Sequence, residues 1–326
     1  MKQHVKILFL VLSVVMILTI AGCSTAKETS DKFSIGIIQY NDHKALSSAK
    51  DGFVSALEDN GFKNGEKIDI DYQNAQGDAA NLSTIGDRFV SNKADLVLAI
   101  ATPAAQSVAG KTSEIPILGT AITDYVVARL ADSNEAPGGN VSGTTDMNPI
   151  KEQIDLLNKL VPEAKTIGVL YTSSEDNSVL QAKLAKEAIE KLGYNYVELT
   201  VSNSNEVQQA TQSIVTKVDA IYIPTDNIFA SAMPIVYGVT SQSKTPVICG
   251  ESGMVTSGGL ATLGINYYDL GYQTGLMAVR ILKGEAKPAS MPIESSKGFD
   301  YAINGNVAEE IGLEIPADLQ KYVIKE

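Results

Sequence analysis

The chain has 326 residues, with 38 acids against 26 bases and a formal net charge of −12. Hydrophobic residues at 44% and charged residues at 20% describe a globular chain with room for two ordinary domains. They exclude disorder, a collagen-like repeat and a multi-span membrane protein. The acidic balance argues against nucleic-acid binding, and two histidines with two cysteines are too few for a zinc cluster or a disulfide scaffold.

Residues 1–23 read as a lipoprotein signal peptide. Lys2 and Lys6 give a positive start, and Ile7–Ile20 follows as a mainly apolar run of 14 residues. A spanning helix needs about 20, so the run suits a signal segment. It ends in Ile20-Ala21-Gly22-Cys23, which resembles a bacterial lipobox: small residues admit a peptidase, and the Cys23 thiol takes a diacylglycerol. Residues 24–32 are polar and rich in Ser, Thr and Lys, as expected of a tether between lipid and folded body. The expected location is extracytoplasmic, lipid-anchored to the bacterial cell membrane. Cys249 is then the one thiol in the folded body, and no internal disulfide is expected.

From Phe33 short β-rich runs alternate with amphipathic helical runs, the pattern of an α/β fold with parallel sheets. Strands are predicted at Phe33–Gln39, Ile68–Asn74, Leu96–Ile100 and Ile117–Thr120. Helices are predicted at Leu46–Asn60, which Gly61 stops, at Ala79–Asn92, and from Pro103, a residue favoured in a first turn. The order then recurs. Strands are predicted at Thr166–Tyr171, Tyr194–Thr200, Ala220–Pro224 and Pro246–Gly250, and helices at Ser178–Leu192, Ser204–Lys217 and Ile228–Ser243. Local echoes support a duplicated plan: Asn60-Gly61-Phe62 answers Leu192-Gly193-Tyr194, and Ile115-Pro116-Ile117 answers Thr245-Pro246-Val247. Crossings are expected near Asn148–Ile150 and Ile265–Asp269, with a helix at Tyr267–Lys283 returning to the first half. The expected organisation is two similar three-layer lobes around a hinged cleft: lobe 1 from 33–148 plus 268–298, and lobe 2 from 149–267 plus 299–326.

In open parallel sheets ligands bind beyond the carboxyl ends of the strands. The loops there are polar: Gln39–His43, Ala101–Gln106, Ala121–Tyr125, Thr172–Ser178, Thr225–Asn227 and Glu251–Gly253. A helix N-terminus suits a carboxylate, and Thr102 and Ser173–Ser178 offer hydroxyls beside such ends. Asp226, directly after a strand, is a candidate for an ammonium, with Glu175 and Glu251 as alternatives. Thr102, Ser178 and Asp226 are equally well placed as ordinary N-caps, and the two roles are compatible. Tyr40, Tyr125 and Phe229 stand near the same loops and are candidates either for a ring-walling role or for packing. His43 suits a cap or a cleft-side hydrogen bond, and Cys249, within a Pro-Val-Ile-Cys run, a buried thiol.

Enzyme signatures are missing. Gly250-Glu251-Ser252-Gly253-Met254 lacks the last glycine of a nucleophile elbow. There is no P-loop, no dinucleotide fingerprint and no EF-hand-like spacing, so no metal or cofactor is expected, and a hydrolase would have to rely on His43.

Four stretches do carry a resemblance: Ala99–Gln106, Pro137–Gly143, Tyr171–Ser178 and Ile223–Asn227. In this order they are similar to the solute-binding lipoproteins of ABC importers, in particular to binders of aromatic amino acids (tryptophan, phenylalanine or tyrosine). The resemblance runs from about Phe33 to the C-terminus. It implies a type I periplasmic-binding-protein fold, a monomer without chemistry of its own, an amino-acid ligand held between the lobes, and an ABC permease in the membrane as partner. Carried onto this chain, it implies Asp226 for the ammonium, with Ser173, Asn177 and Ser178 for the carboxylate. Thr102, Thr123 and Asn227 would add polar contacts, and Tyr40 would stand beside the side chain. The alternatives are a binder of another small solute, such as a nucleoside or a branched-chain amino acid, and a surface lipoprotein acting as an adhesin.

Overall fold

The computed structural model describes residues 32–324. The predicted signal peptide, the lipidation residue Cys23 and all of the tether but Lys32 lie outside the described residues.

The first half runs β1 (Phe33–Gln39), α1 (Lys44–Asp59), β2 (Ile68–Asn74), α2 (Ala79–Ser91), β3 (Leu96–Ile100), α3 (Thr102–Ala109), β4 (Ile117–Ile122) and β5 (Val141–Thr145). The chain then passes to α4 (Ile150–Leu160), β6 (Thr166–Thr172), α5 (Asp176–Lys191), β7 (Asn195–Val201), α6 (Val207–Ile214) and β8 (Ala220–Ile223). Next come α7 (Asn227–Ser231), α8 (Met233–Ser243), β9 (Val247–Cys249), α9 (Ser252–Val255) and β10 (Ala261–Gly264). Helix α10 (Tyr267–Leu282) and strand β11 (Glu294–Ser295) return to the first sheet, and β12 (Asp300–Asn304), α11 (Gly305–Ile311) and β13 (Val323–Ile324) complete the second.

Two sheets result, in the orders β11-β5-β4-β3-β1-β2 and β13-β12-β10-β9-β8-β6-β7. All neighbours are parallel except β10 and β12. The central strands β3 and β4 are buried along their whole length, as expected of strands covered on both faces. In each sheet the strand order reverses beside the first strand, between β1 and β3 and between β6 and β8. Those are the topological switch points where α/β sheets leave a crevice.

The duplicated plan is thus present, with several differences from the predicted elements. The predicted helix Ile228–Ser243 is two helices, because Pro234 has no N–H to give and its ring crowds the carbonyl of Ala230, so the chain breaks at Ala232. Helix α4 stands where only a crossing was expected; its buried Ile150, Gln153, Ile154, Leu157 and Leu160 follow the helical period. The short strands β5 and β10 were not foreseen.

Helix α10 lies against α1 at very close range. A Cβ on Gly52 would come within 2.0 Å of the Tyr268 carbonyl oxygen, and one on Gly271 within 1.8 Å of that of Ala49. Only glycine permits this approach, and it ties the segment returning from the second sheet onto α1.

Candidate functional site

The carboxyl ends of the two sheets meet, and side chains bond across the gap. Asn41 Nδ2 donates to the Asn227 carbonyl oxygen at 3.3 Å and to Ser231 Oγ at 3.0 Å. His43 Nε2 lies 3.3 Å from Asn227 Oδ1. Gln181 Nε2 donates to Thr123 Oγ1 at 3.1 Å, and Gln106 Nε2 donates to Asp176 Oδ2 at 2.8 Å. At a further point Lys44 Nζ donates to Thr256 Oγ1 at 2.8 Å. The lobes are shut.

Two backbone distortions aim the first sheet's loops at this gap. Ala101, between β3 and α3, has φ 82°, and Ala121, at a register break in β4, has φ 56°. Such conformations are costly for a residue with a Cβ and persist where the surroundings enforce them. Beyond them stand Thr102 and Thr123, both buried.

Between the lobes lies a cavity of about 20 Å³ lined by His43, Leu46, Ala121, Thr123, Asp146, Asn177, Thr225, Asp226, Asn227, Ala230, Glu251 and Tyr267. That is room for about one water molecule, so a larger guest enters only when the lobes part. Glu251 and Tyr267 also line a more open cleft of about 330 Å³ on the Lys44 side.

Three buried carboxylates line this cavity, Asp146, Asp226 and Glu251, and a fourth, Glu175, is buried behind the lining residues Asn177 and Asn227, to which it is bonded. Asp226 caps α7: Oδ1 accepts from Phe229 N and Thr172 Oγ1, each at 2.9 Å, and Oδ2 from Thr172 N at 2.6 Å. Three donors thus bond to it, and both of its oxygens are engaged within the protein. Glu251 likewise caps α9 through Gly253 N and Met254 N, and Asp146 accepts from Thr123 Oγ1 at 3.0 Å and the Tyr267 hydroxyl at 2.7 Å.

Glu175 differs. Its Oε2 accepts from Asn227 Nδ2 at 2.5 Å and Asn177 Nδ2 at 3.2 Å, while its buried Oε1 has no partner. Burial first, then the nearby Asp226 charge, push its carboxyl well above the ordinary range. Burial holds Glu251 up to about 7 and raises Asp146 and Asp226 in the same sense.

Further polar atoms shut off from solvent without a partner include His43 Nδ1, Thr102 Oγ1, Asn177 Oδ1 and Thr225 Oγ1. Burial lowers the His43 imidazole to about 4, so the ring is neutral. Tyr40 is buried too, its hydroxyl held protonated by burial and by the charges of Glu175, Asp226 and Asp78. Among the described residues no group of three or more His, Cys, Asp or Glu side chains is arranged to hold a metal ion.

Of the sequence candidates, Thr123, Asn177, Asp226 and Asn227 line the cavity, Ser178 bonds to Asp226, and Thr102 and Tyr40 are buried at the same sheet edge. Ser173 does not belong with them. It is exposed and its hydroxyl donates to the Val201 carbonyl oxygen at the end of β7. Asp226, expected at the ammonium, does line the cavity, with acceptors bonded within the protein, whereas Glu175, the alternative acid, keeps an oxygen without a partner. Tyr125 and Phe229 are fully buried in the cores of their own lobes, and the Tyr125 hydroxyl donates to the Gly119 and Thr144 carbonyl oxygens at 2.8 and 3.0 Å. Sequence reasoning missed Asp146, Gln181, Thr225 and Tyr267. For Gln181 a signal existed: Asn177, Ser178 and Gln181 share one buried helix face with Ala182, Ala185 and Ile189, and polar residues on an inward face ask for a partner.

Over residues 34–326 the sequence matches the family described as ABC transporter substrate binding protein. It is 42% identical over 336 residues to the tyrosine-binding protein of Clostridioides difficile (strain R20291), spanning 99% of this chain and 97% of that one. An ABC domain from Streptococcus pneumonia in complex with L-Trp superposes with TM-score 0.87 at 39% identity, over 90% of this chain and 100% of that one. The ligand-free, open structure of a substrate-binding protein with adhesive properties from Clostridium difficile gives TM-score 0.69 at 47% identity, over 90% and 99%. The relative nearer in sequence is the poorer match in shape, which agrees with the hydrogen bonds that close this cleft.

Proposed function

The chain belongs to the family of ABC transporter substrate-binding proteins and has the type I periplasmic-binding-protein fold, and from that premise we propose that it captures a free aromatic amino acid, tyrosine or tryptophan, between its lobes. The relatives that are named for tyrosine or hold L-Trp support the ligand class. The observation that carries the reading is the unpartnered Oε1 of Glu175 within a closed interlobe cluster. A buried carboxylate oxygen with no donor is costly until an ammonium meets it.

The two lobes divide the zwitterion. On the lobe 2 side, Glu175 takes the ammonium, supported by Asn177 and Asn227, while Asp226 and Ser178 hold the loops in place. On the lobe 1 side, α3 starts without a side-chain cap and with Thr102 Oγ1 unpartnered. Its free N–H groups receive the carboxylate, and Thr123 and Tyr40 complete the wall.

Substrate-binding proteins of ABC transporters act outside the cytoplasm, and so does this one; no described helix is long and apolar enough to cross a membrane. In the proposed cycle the protein is a monomer without catalysis of its own, anchored by a diacylglycerol on Cys23 through residues 24–32. It delivers its ligand to a permease. A Cys23→Ala variant is expected to leave the membrane fraction. Lobes 33–148 plus 268–298 and 149–267 plus 299–326 would turn about the three connections between the sheets.

A thermal-shift screen of the twenty amino acids tests the ligand class. Ligand at 100 times its Kd stabilises by about 2.7 kcal/mol; an aromatic amino acid is expected to raise the midpoint by several degrees, and no response to any of them would sink the assignment. The adhesive properties of the C. difficile relative favour surface adhesion as a second reading. Host-surface binding retained when solute capture is abolished would support it.

A further inference from the structure

We infer that the cleft depends on the ligand's ammonium group far more than on its carboxylate, so that aromatic amines lacking a carboxylate are ligands of it too; the inference rests on the amino-acid reading above and extends it.

Charge around the cavity is one-sided. The carboxylates of Asp146, Asp226 and Glu251 line it and that of Glu175 is buried behind Asn177 and Asn227, and every hydrogen bond given above to them comes from a neutral group: backbone N–H, side-chain amide or hydroxyl. No lysine or arginine lines the cavity; the Lys44 ammonium, on an exposed residue of the adjoining cleft, bonds to Thr256 and its charge bears on Glu251. His43 offers only a neutral ring. Acids buried near one another without a cation disfavour one another's ionised forms. An arriving ammonium relieves that strain and meets an open acceptor at Glu175.

A ligand carboxylate has the reverse effect. It adds negative charge to an acidic cluster and is received by helix N–H groups and hydroxyls, never by a cation. Deleting it forfeits a helix-end interaction, worth up to about thirty-fold in affinity, and removes a repulsion at the same time. Masking the nitrogen instead leaves Glu175 unpaired beside an amide and is expected to cost about a thousandfold.

Titration calorimetry of the full folded chain with L-tyrosine, tyramine and N-acetyl-L-tyrosine, and in parallel with L-tryptophan and tryptamine, decides the matter. The expected result is amine binding within about thirty-fold of the parent amino acid, no heat from the N-acetyl compound, and loss of amine binding in Glu175→Gln. Binding of the amino acids with silence from both amines overturns the inference and leaves the proposed function intact. Amine binding without amino-acid binding upholds the inference and overturns the proposed function. Silence from all five compounds overturns both.

Discussion

Asn227 Nδ2 donates to Glu175 Oε2 at 2.5 Å, while the other oxygen of the same carboxylate, equally buried, meets no donor. One half of the group is fixed by the protein and the other half is left open. Because Asn227 also faces His43 from the opposite lobe, its one amide links a lobe-closing contact to the orientation of Glu175.

Replacing Glu175 by Gln keeps the shape and removes the charge. The aromatic amino acid is expected to bind about 30- to 1000-fold more weakly, in the range found when one partner of a buried charge pair is truncated. Thermal stability without ligand should hold or rise, since a buried acid without a cation is relieved. Calorimetry and a thermal scan on the same sample read both effects.

Burial raises the carboxyls of Asp146, Glu175, Asp226 and Glu251, with Glu251 moving from the usual 4.5 to about 7. The folded, closed state therefore binds protons that the unfolded chain has released, and stability falls as pH rises through this window. His43 opposes this: lowered from 6.5 to about 4, it favours the folded state as pH rises between those values. One imidazole against four carboxyls leaves a net decline, and above pH 6.5, where His43 no longer contributes, nothing opposes the part carried by Glu251 at about 7 and Glu175 at about 8. The melting midpoint of the ligand-free protein should drop between pH 6.5 and 8, and saturating ligand should flatten the drop by supplying the cation. A rising midpoint would contradict this balance.

Gln106, partly buried, is held within its own lobe by a bond to the Ala128 carbonyl oxygen at 3.2 Å and bridges the lobes by donating to Asp176 Oδ2 at 2.8 Å. Gln106→Ala removes that interlobe bond, which exists only in the closed form. A net hydrogen bond is worth about 0.5–1.5 kcal/mol, so affinity is expected to fall about two- to tenfold through faster ligand release, with the melting midpoint nearly unchanged. Stopped-flow dissociation measures it.

The contact of α1 with α10 is the mechanical counterpart. Gly271→Val places a branched side chain where even a Cβ lies 1.8 Å from the Ala49 carbonyl oxygen, and overpacking of this kind costs about 3 kcal/mol. Urea denaturation should show a lower midpoint. Gly284→Ala, where nothing stands within 4 Å, is a milder control whose cost comes from its φ of 74° alone.

The strand-helix alternation, the duplication and the loops that form the cleft were legible because they are written in local periodicity and in turn residues. Strands β1, β2 and β3 have the predicted boundaries to the residue. What local pattern cannot show is which lone pairs are already in use. Asp226 follows a strand as a ligand acid would, yet the donors that occupy it come from Thr172, 54 positions earlier. Glu175 stands three residues past that same threonine and keeps an oxygen open. Asp146 carries no helix-start or motif signal at all, and its role depends on Tyr267, 121 positions away. Ser173 fails for the opposite reason: in a loop of alternating direction, Glu175, Asn177 and Ser178 turn inward and Ser173 turns to solvent.

The most direct measurement is a crystal structure of the protein grown with L-tyrosine or L-tryptophan. The amino nitrogen should lie within hydrogen-bond distance of Glu175 Oε1, the carboxylate should rest on the start of α3 beside Thr102, and the lobes should be shut around both. A ligand bound with its nitrogen on Asp226 or Glu251 and Glu175 left unpaired, or a ligand lodged outside the gap between the sheets, would contradict the account.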